Sequence, residues 1–314
     1  MAKTKTNARR PSMLARSAGV TRTRPPSIPR PWWLLILVGA AAGVITLIAG
    51  GVVLLLGRGN EAKPTAGLPL TPDYHALLVS AATTSRIVLG THDGLFQSND
   101  AGRTWTRSGL RGRDAMNLAR SPDGILWAAG HEVFTKSAGE GTARHDVRPK
   151  GLPSLDLHGF ALDPRGAHRL WSAVAGQGLY RSDDGGATFT EISRQVGGAV
   201  MALAVAADGR LLAGDMRQGL LVSDDGGASW RVVARAAVMG LAVNPDDPRI
   251  VLATGPGVLR SSDGGETWQS VLELQAGAGP VAWSASEPRV AFVIGFDRTF
   301  YRSDDQGRSW QPVR

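Results

Sequence analysis

Apolar residues along the chain follow two different patterns. From Trp32 to Leu56 they run WWLLILVGAAAGVITLIAGGVVLLL, 25 residues without a charge. At about 1.5 Å of rise per residue, a helix of that length crosses a hydrocarbon core of about 30 Å with some tilt. The run exceeds the apolar stretch of a cleaved leader, about 7–15 residues, and the following GRGNEAKPT has no Ala-x-Ala site. The expectation is a single uncleaved transmembrane helix over 32–56. Beyond it, apolar residues come in runs of four to six separated by Gly, Asp, Asn and Pro. One stretch predicts strands over 201–206, 210–213, 219–223 and 229–233, joined by tight turns.

That four-strand pattern repeats. GLFQSNDAGRTWTR at 94–107 aligns without gaps with GLYRSDDGGATFTE at 178–191, GLLVSDDGGASWRV at 219–232, GVLRSSDGGETWQS at 257–270 and TFYRSDDQGRSWQP at 299–312. The shared frame is Ser-x-Asp-x-Gly-x-Ser/Thr-Trp. Its members are Ser98, Asp100, Gly102 and Trp105; Ser182, Asp184, Gly186 and Phe189; Ser223, Asp225, Gly227 and Trp230; Ser261, Asp263, Gly265 and Trp268; and Ser303, Asp305, Gly307 and Trp310. A decayed copy over 132–147 keeps Ser137 and Gly141 but holds Gly139 and Arg144 where Asp and Trp are expected. The six serines then recur every 38 to 45 residues. Four strands per unit of about 40 residues is the arithmetic of a propeller blade. The fold expected is all-β: a six-bladed β-propeller of four-stranded antiparallel blades over 75–314, preceded by the transmembrane helix and a Gly/Pro-rich flexible linker over 57–74.

Charge sets the orientation. Eight of the 35 Lys and Arg lie in residues 1–31, which hold no acid. The other 27 match the 27 Asp and Glu of the remainder, so the net +8 belongs to one basic tail. The positive-inside rule puts that tail in the cytoplasm and the propeller outside, with the chain in the cell membrane. A neutral ectodomain excludes a nucleic-acid partner, because a nucleic-acid-binding domain carries its charge on the folded surface. Gly39 and Gly43 form the small-xxx-small pattern of a weak homodimer in the membrane. There is no cysteine, so disulfides, thiolate metal sites and Cys nucleophiles are excluded.

Within each repeat the Ser and Asp side chains are suited to hydrogen-bond turn backbone, the Gly to a positive φ, and the Trp to wedge beside the turn. These turns resemble the Asp-box, or BNR repeat, over residues 75–314. Propellers built this way include sialidases, sortilin-type receptors, xyloglucanase-like hydrolases and photosystem II assembly-factor-like proteins. The anchored layout looks most like bacterial membrane proteins labelled sialidase-like or glycosyl hydrolase-like. In those families the Asp-box is a fold element at the rim, so the resemblance implies architecture and no activity.

Sialidases use an Arg triad, a Tyr paired with a Glu, an Asp acid/base and a Phe/Tyr-Arg-Ile-Pro motif. No such motif occurs between residues 57 and 110. Tyr180 and Tyr301 recur with the repeat, as do Arg181, Arg260 and Arg302, which leaves only Tyr74. A glycosidase needs two facing carboxylates. The acids outside repeats and turns are Asp114, Glu132, Asp156, Asp215, Glu273 and Asp297, and nothing in the sequence pairs them. No catalytic residue, metal site or cofactor is assigned. At the start of the innermost strands, alignment places His75, Met116, His158, Met201 and Met239 at one level, with His92 and His131 in nearby loops. Such a ring is either apolar channel filling with satisfied imidazoles or a soft-ion site, as for Cu(I). The reading is a non-catalytic binding or assembly module for a protein or glycan partner. The alternative is a sialidase-like glycoside hydrolase acting on cell-surface or extracellular glycans, and the third is copper binding by the ring.

Overall fold

The computed structural model describes residues 64–314. Those residues form a six-bladed propeller, each blade an antiparallel sheet of consecutive strands. The first blade is Tyr74–Val79, Ile87–Thr91, Gly94–Ser98 and Thr104–Gly109, running from channel to rim. The unit read as four strands from its pattern is Val200–Val205, Leu211–Asp215, Gly219–Ser223 and Arg231–Ala234. Five of the six second strands are buried along their whole length because a neighbouring blade covers each face, as at Leu170–Val174 and Leu211–Asp215; in Ile87–Thr91 only Val88 is partly exposed. Trp127, Trp171 and Trp283, which fall within strand patterns, are all buried.

The five full repeat turns share one scheme of Ser and Asp hydrogen bonds, to which Trp105, Trp230 and Trp268 add an indole bond. Ser223 Oγ donates to Asp225 Oδ1 (2.8 Å) and accepts the Gly227 N–H (2.9 Å). Asp225 Oδ1 accepts the Ser229 N–H (2.9 Å), Oδ2 accepts the Ser229 hydroxyl (2.6 Å), and Trp230 Nε1 donates to Gly227 O (2.9 Å). The carboxylate is thereby taken up by donors of its own turn, which holds the carboxyls of Asp184, Asp225, Asp263 and Asp305 down at about 2. In the decayed second blade Arg144 takes the Trp place. Its guanidinium donates to Leu126 O (3.3 Å), and burial pushes its pKa down.

One boundary differs from expectation. The segment read as free linker to residue 74 is partly built into the first blade. Thr65–Ala66 pairs with the rim strand (Thr65↔Trp105), Gly67 N–H donates to Arg103 O (2.9 Å), and Leu68 packs on the core beneath. It covers a sheet edge whose amides would otherwise be open. The ring closes without a shared sheet. Instead, Leu89, Phe96 and Trp105 of the first blade pack with Phe292, Ile294 and Phe300 of the sixth. Phe300 stacks on Phe292 (5.4 Å, 6°) and meets Trp105 edge-on (5.8 Å, 86°). The expected membrane helix, basic tail and Gly39/Gly43 face lie outside the described residues. Among the described residues no helix is long and apolar enough to cross a membrane.

Candidate functional site at the channel mouth

Strand direction gathers the chemistry at one end. Each innermost strand starts where the turn between its second and third strands lies, as the pairing Tyr74↔Thr91 shows. The Ser-x-Asp turns, which follow the third strands, are therefore at the opposite end. Four of the six innermost strands carry a register shift at the ring position: between Tyr74 and Ala76, Leu157 and Gly159, Val200 and Ala202, and Ala278 and Val281. A bulge there re-aims one side chain out of the pleat.

The expected ring separates into two environments. Met116, Met201 and Met239 line a small channel cavity of about 90 Å³ with Leu77, Leu118, Leu203, Leu241 and Val281, and His75 borders it. The imidazoles of His75 and His158 lie against carboxylates that sequence spacing does not pair with them. Asp114 and Asp156 stand just before the innermost strands of the second and third blades, so the structure adds them to the candidate residues. His92 and His131 come from turns of the first and second blades, and four of the six histidines of the chain meet there.

Distances define a connected cluster across three adjacent blades. Asp114 Oδ1 is 3.2 Å from His75 Nε2, and its Oδ2 is 3.1 Å from His92 Nδ1 and 2.8 Å from His131 Nδ1. The far nitrogen of His131, Nε2, is 3.1 Å from Asp156 Oδ1 and 3.0 Å from His158 Nε2. Asp156 Oδ1 is also 3.1 Å from His158 Nε2. A backbone bridge between His131 and Asp156 fixes the approach of the second and third blades. Asp114 is only 7% exposed, whereas His92, His131 and Asp156 are about half exposed, so the cluster has a buried floor and an open face. Burial opposes ionisation of Asp114, but the surrounding imidazoles of His75, His131 and His92 outweigh it and hold the carboxyl below its ordinary range.

Two of the other acids are engaged by their own turns. Asp215 accepts the amides of Arg217 and Gln218 (2.7 and 2.9 Å), and Asp297 that of Thr299 (3.0 Å). Tyr74, the tyrosine outside the repeat, donates its hydroxyl to Pro69 O (2.8 Å).

No family model matches the chain, and no curated protein matches it. Many solved propellers do. A xyloglucanase from Xanthomonas campestris is 19% identical, with a TM-score of 0.56 over 81% of this chain and 46% of the enzyme, so the chain spans less than half of that protein. YCF48 from Cyanidioschyzon merolae is 18% identical, with a TM-score of 0.53 over 80% of this chain and 87% of its own. YCF48 has also been solved bound to a D1 peptide. A putative gluconolactonase is 15% identical, with a TM-score of 0.61 over 81% of this chain and 95% of its own. At these identities the likeness is one of fold.

Proposed function

We propose that this chain is a membrane-anchored, extracytoplasmic Asp-box propeller whose channel mouth is a binding face, and that it is not a glycosidase. The observation that carries the reading is the concentration of reactive side chains. His75, His92, Asp114, His131, Asp156 and His158 share one open sector of the mouth. Two further acids outside the repeat turns, Asp215 and Asp297, are bound to backbone amides of their own turns. The imidazole of His131 stands between Asp114 and Asp156 in contact with both, so the space between the two carboxylates that glycoside hydrolysis gives to the sugar is taken by a side chain. The anchor over 32–56 and the basic tail before it supply the location and orientation. Use of a propeller for partner binding has a parallel in the peptide-bound YCF48 structure.

The test is site-specific photo-crosslinking of the full chain in its own cells. A photoreactive residue replaces His92 at the mouth or exposed Asp224 at the far end. A discrete crosslinked partner from position 92 and none from 224 is the expected result. Equal crosslinking from both positions, or release of reducing sugar from glycans by the purified full chain, overturns the proposal.

A further inference from the structure

We infer that the cluster holds one divalent first-row transition-metal ion, ligated by His131 Nε2, His158 Nε2 and Asp156 Oδ1, with Asp114 as the carboxylate that orients His131. Three separate features lead to this assignment, and it does not depend on the identity of any partner.

The first is the spacing of the three donor atoms. Their mutual separations are 3.0, 3.1 and 3.1 Å. Ligands at right angles on an ion, each about 2.1 Å from it, stand about 3.0 Å apart, so the three atoms fit one face of an octahedron. Two imidazoles and one carboxylate on a face leave the opposite positions open, the pattern of a 2-His-1-carboxylate centre. Here the open side is the solvent side of the mouth, where His131 and Asp156 are half exposed.

The second is that short distances coexist with missing hydrogen bonds. Asp156 Oδ1 is shielded from solvent and has two imidazole nitrogens at 3.1 Å, yet neither stands in hydrogen-bond geometry to it. On the floor of the same cluster Asp114 Oδ1 and His75 Nε2 are likewise buried and without a partner, 3.2 Å apart. Buried polar atoms are rarely left unsatisfied. The two imidazole nitrogens are in hydrogen-bond geometry only to each other (3.0 Å), which leaves Asp156 Oδ1 without a partner, and an ion between the three atoms would engage all of them.

The third is the support behind the ligands. The second ring nitrogen of His131, Nδ1, is 2.8 Å from Asp114 Oδ2, which places a carboxylate behind the ring while Nε2 faces His158 and Asp156, the layout of a carboxylate–histidine–metal triad. His158 sits at a register shift in its strand, and Asp156 precedes it by two residues, so both reach the same face from one short segment. With nitrogen and oxygen donors and no thioether, the site suits Zn²⁺, Fe²⁺ or Co²⁺ rather than Cu(I). The methionines line the separate channel cavity.

The probe is Zn²⁺, with Co²⁺ as a spectroscopic substitute, added to the untagged full chain in detergent after chelator stripping. One equivalent of Zn²⁺ should bind and raise the melting temperature, and Co²⁺ should give ligand-field bands. Asp156→Asn and His158→Gln should each abolish the Zn²⁺-induced shift while leaving the metal-free melting temperature and circular dichroism unchanged. Asp114→Asn should weaken Zn²⁺ about 10- to 100-fold. His145→Gln, an exposed histidine on a rim strand, should change nothing. If the His131→Gln/His158→Gln double variant binds Zn²⁺ as tightly as wild type, or wild type binds none, the assignment is overturned. The metal-free melting temperature separates a lost ligand from a lost fold, and the metal result stands apart from the crosslinking result above.

Discussion

Truncating Trp105 tests how the ring is closed. Trp105 is 1% exposed, lies in the cluster joining first and sixth blades, meets Phe300 edge-on and donates Nε1 to Gly102 O (3.0 Å). Trp105→Ala therefore removes a fully buried indole, an aromatic pair and a hydrogen bond, a loss of about 4 kcal/mol. Trp310 occupies the same repeat position in the sixth blade but is only partly buried, and its Nε1 has no partner. Trp310→Ala should cost about 1–2 kcal/mol. The third blade supplies an internal control, because Phe189 stands at this position and is buried. Trp105→Phe should accordingly lose about 1–2 kcal/mol, one hydrogen bond and a little volume. The assay is guanidinium unfolding of the full chain in detergent, followed by circular dichroism. With a slope of about 5 kcal/mol per molar, Trp105→Ala moves the midpoint down by about 0.8 M. Equal shifts for Trp105→Ala and Trp310→Ala would refute the idea that side-chain packing across this seam, rather than the repeat turn itself, closes the ring.

Three further outcomes are expected. The repeat carboxyls of Asp184, Asp225, Asp263 and Asp305 sit at about 2 in the folded chain against 3.8 for the free group. Depressed folded values give stability that is present above the unfolded value and lost as pH falls from about 4 to 2, so the melting temperature should drop across that window. Asp225→Asn should lower it at pH 7 and approach wild type only as pH falls to about 2 and below. Neighbouring glycines should separate strain from space: Gly226 has φ +76° with open surroundings, while Gly227 has φ +97° and a Cβ there would stand 2.5 Å from Leu179 Cδ2. Gly226→Ala should cost about 1 kcal/mol and Gly227→Ala clearly more, read as midpoint shifts. Because the chain has no cysteine, single introduced thiols report orientation. An impermeant maleimide added to intact cells should label Thr142→Cys, in an exposed turn, and not Ser27→Cys in the basic tail.

Strand number and blade boundaries were legible because each blade repeats the same local chemistry. A Ser hydroxyl, an Asp carboxylate and a positive-φ Gly lie within five residues of one another, so sequence spacing and spatial distance coincide. The decayed blade was legible by position, although burial of Arg144 in the Trp place was not. The segment 64–74 reads as free linker because its pairing partner, Trp105, lies some 40 residues away. The site was half legible. Alignment brought His75 and His158 to one level and His92 and His131 to neighbouring turns. Their acids, Asp114 and Asp156, were visible only as residues outside the repeat. What joins them is the contact of successive blades, which places Asp114 beside histidines of the first and second blades. The signal available in the sequence was that both acids stand two residues before a ring position, Asp114 before Met116 and Asp156 before His158.

The most direct test of the central claim, that these six side chains form one functional site, is anomalous diffraction at the zinc edge from crystals of the chain grown with Zn²⁺. The account predicts a peak within coordination distance of His131 Nε2, His158 Nε2 and Asp156 Oδ1, on the solvent side of Asp114. A map with no peak at the channel mouth, or with its peak among Met116, Met201 and Met239, would contradict it.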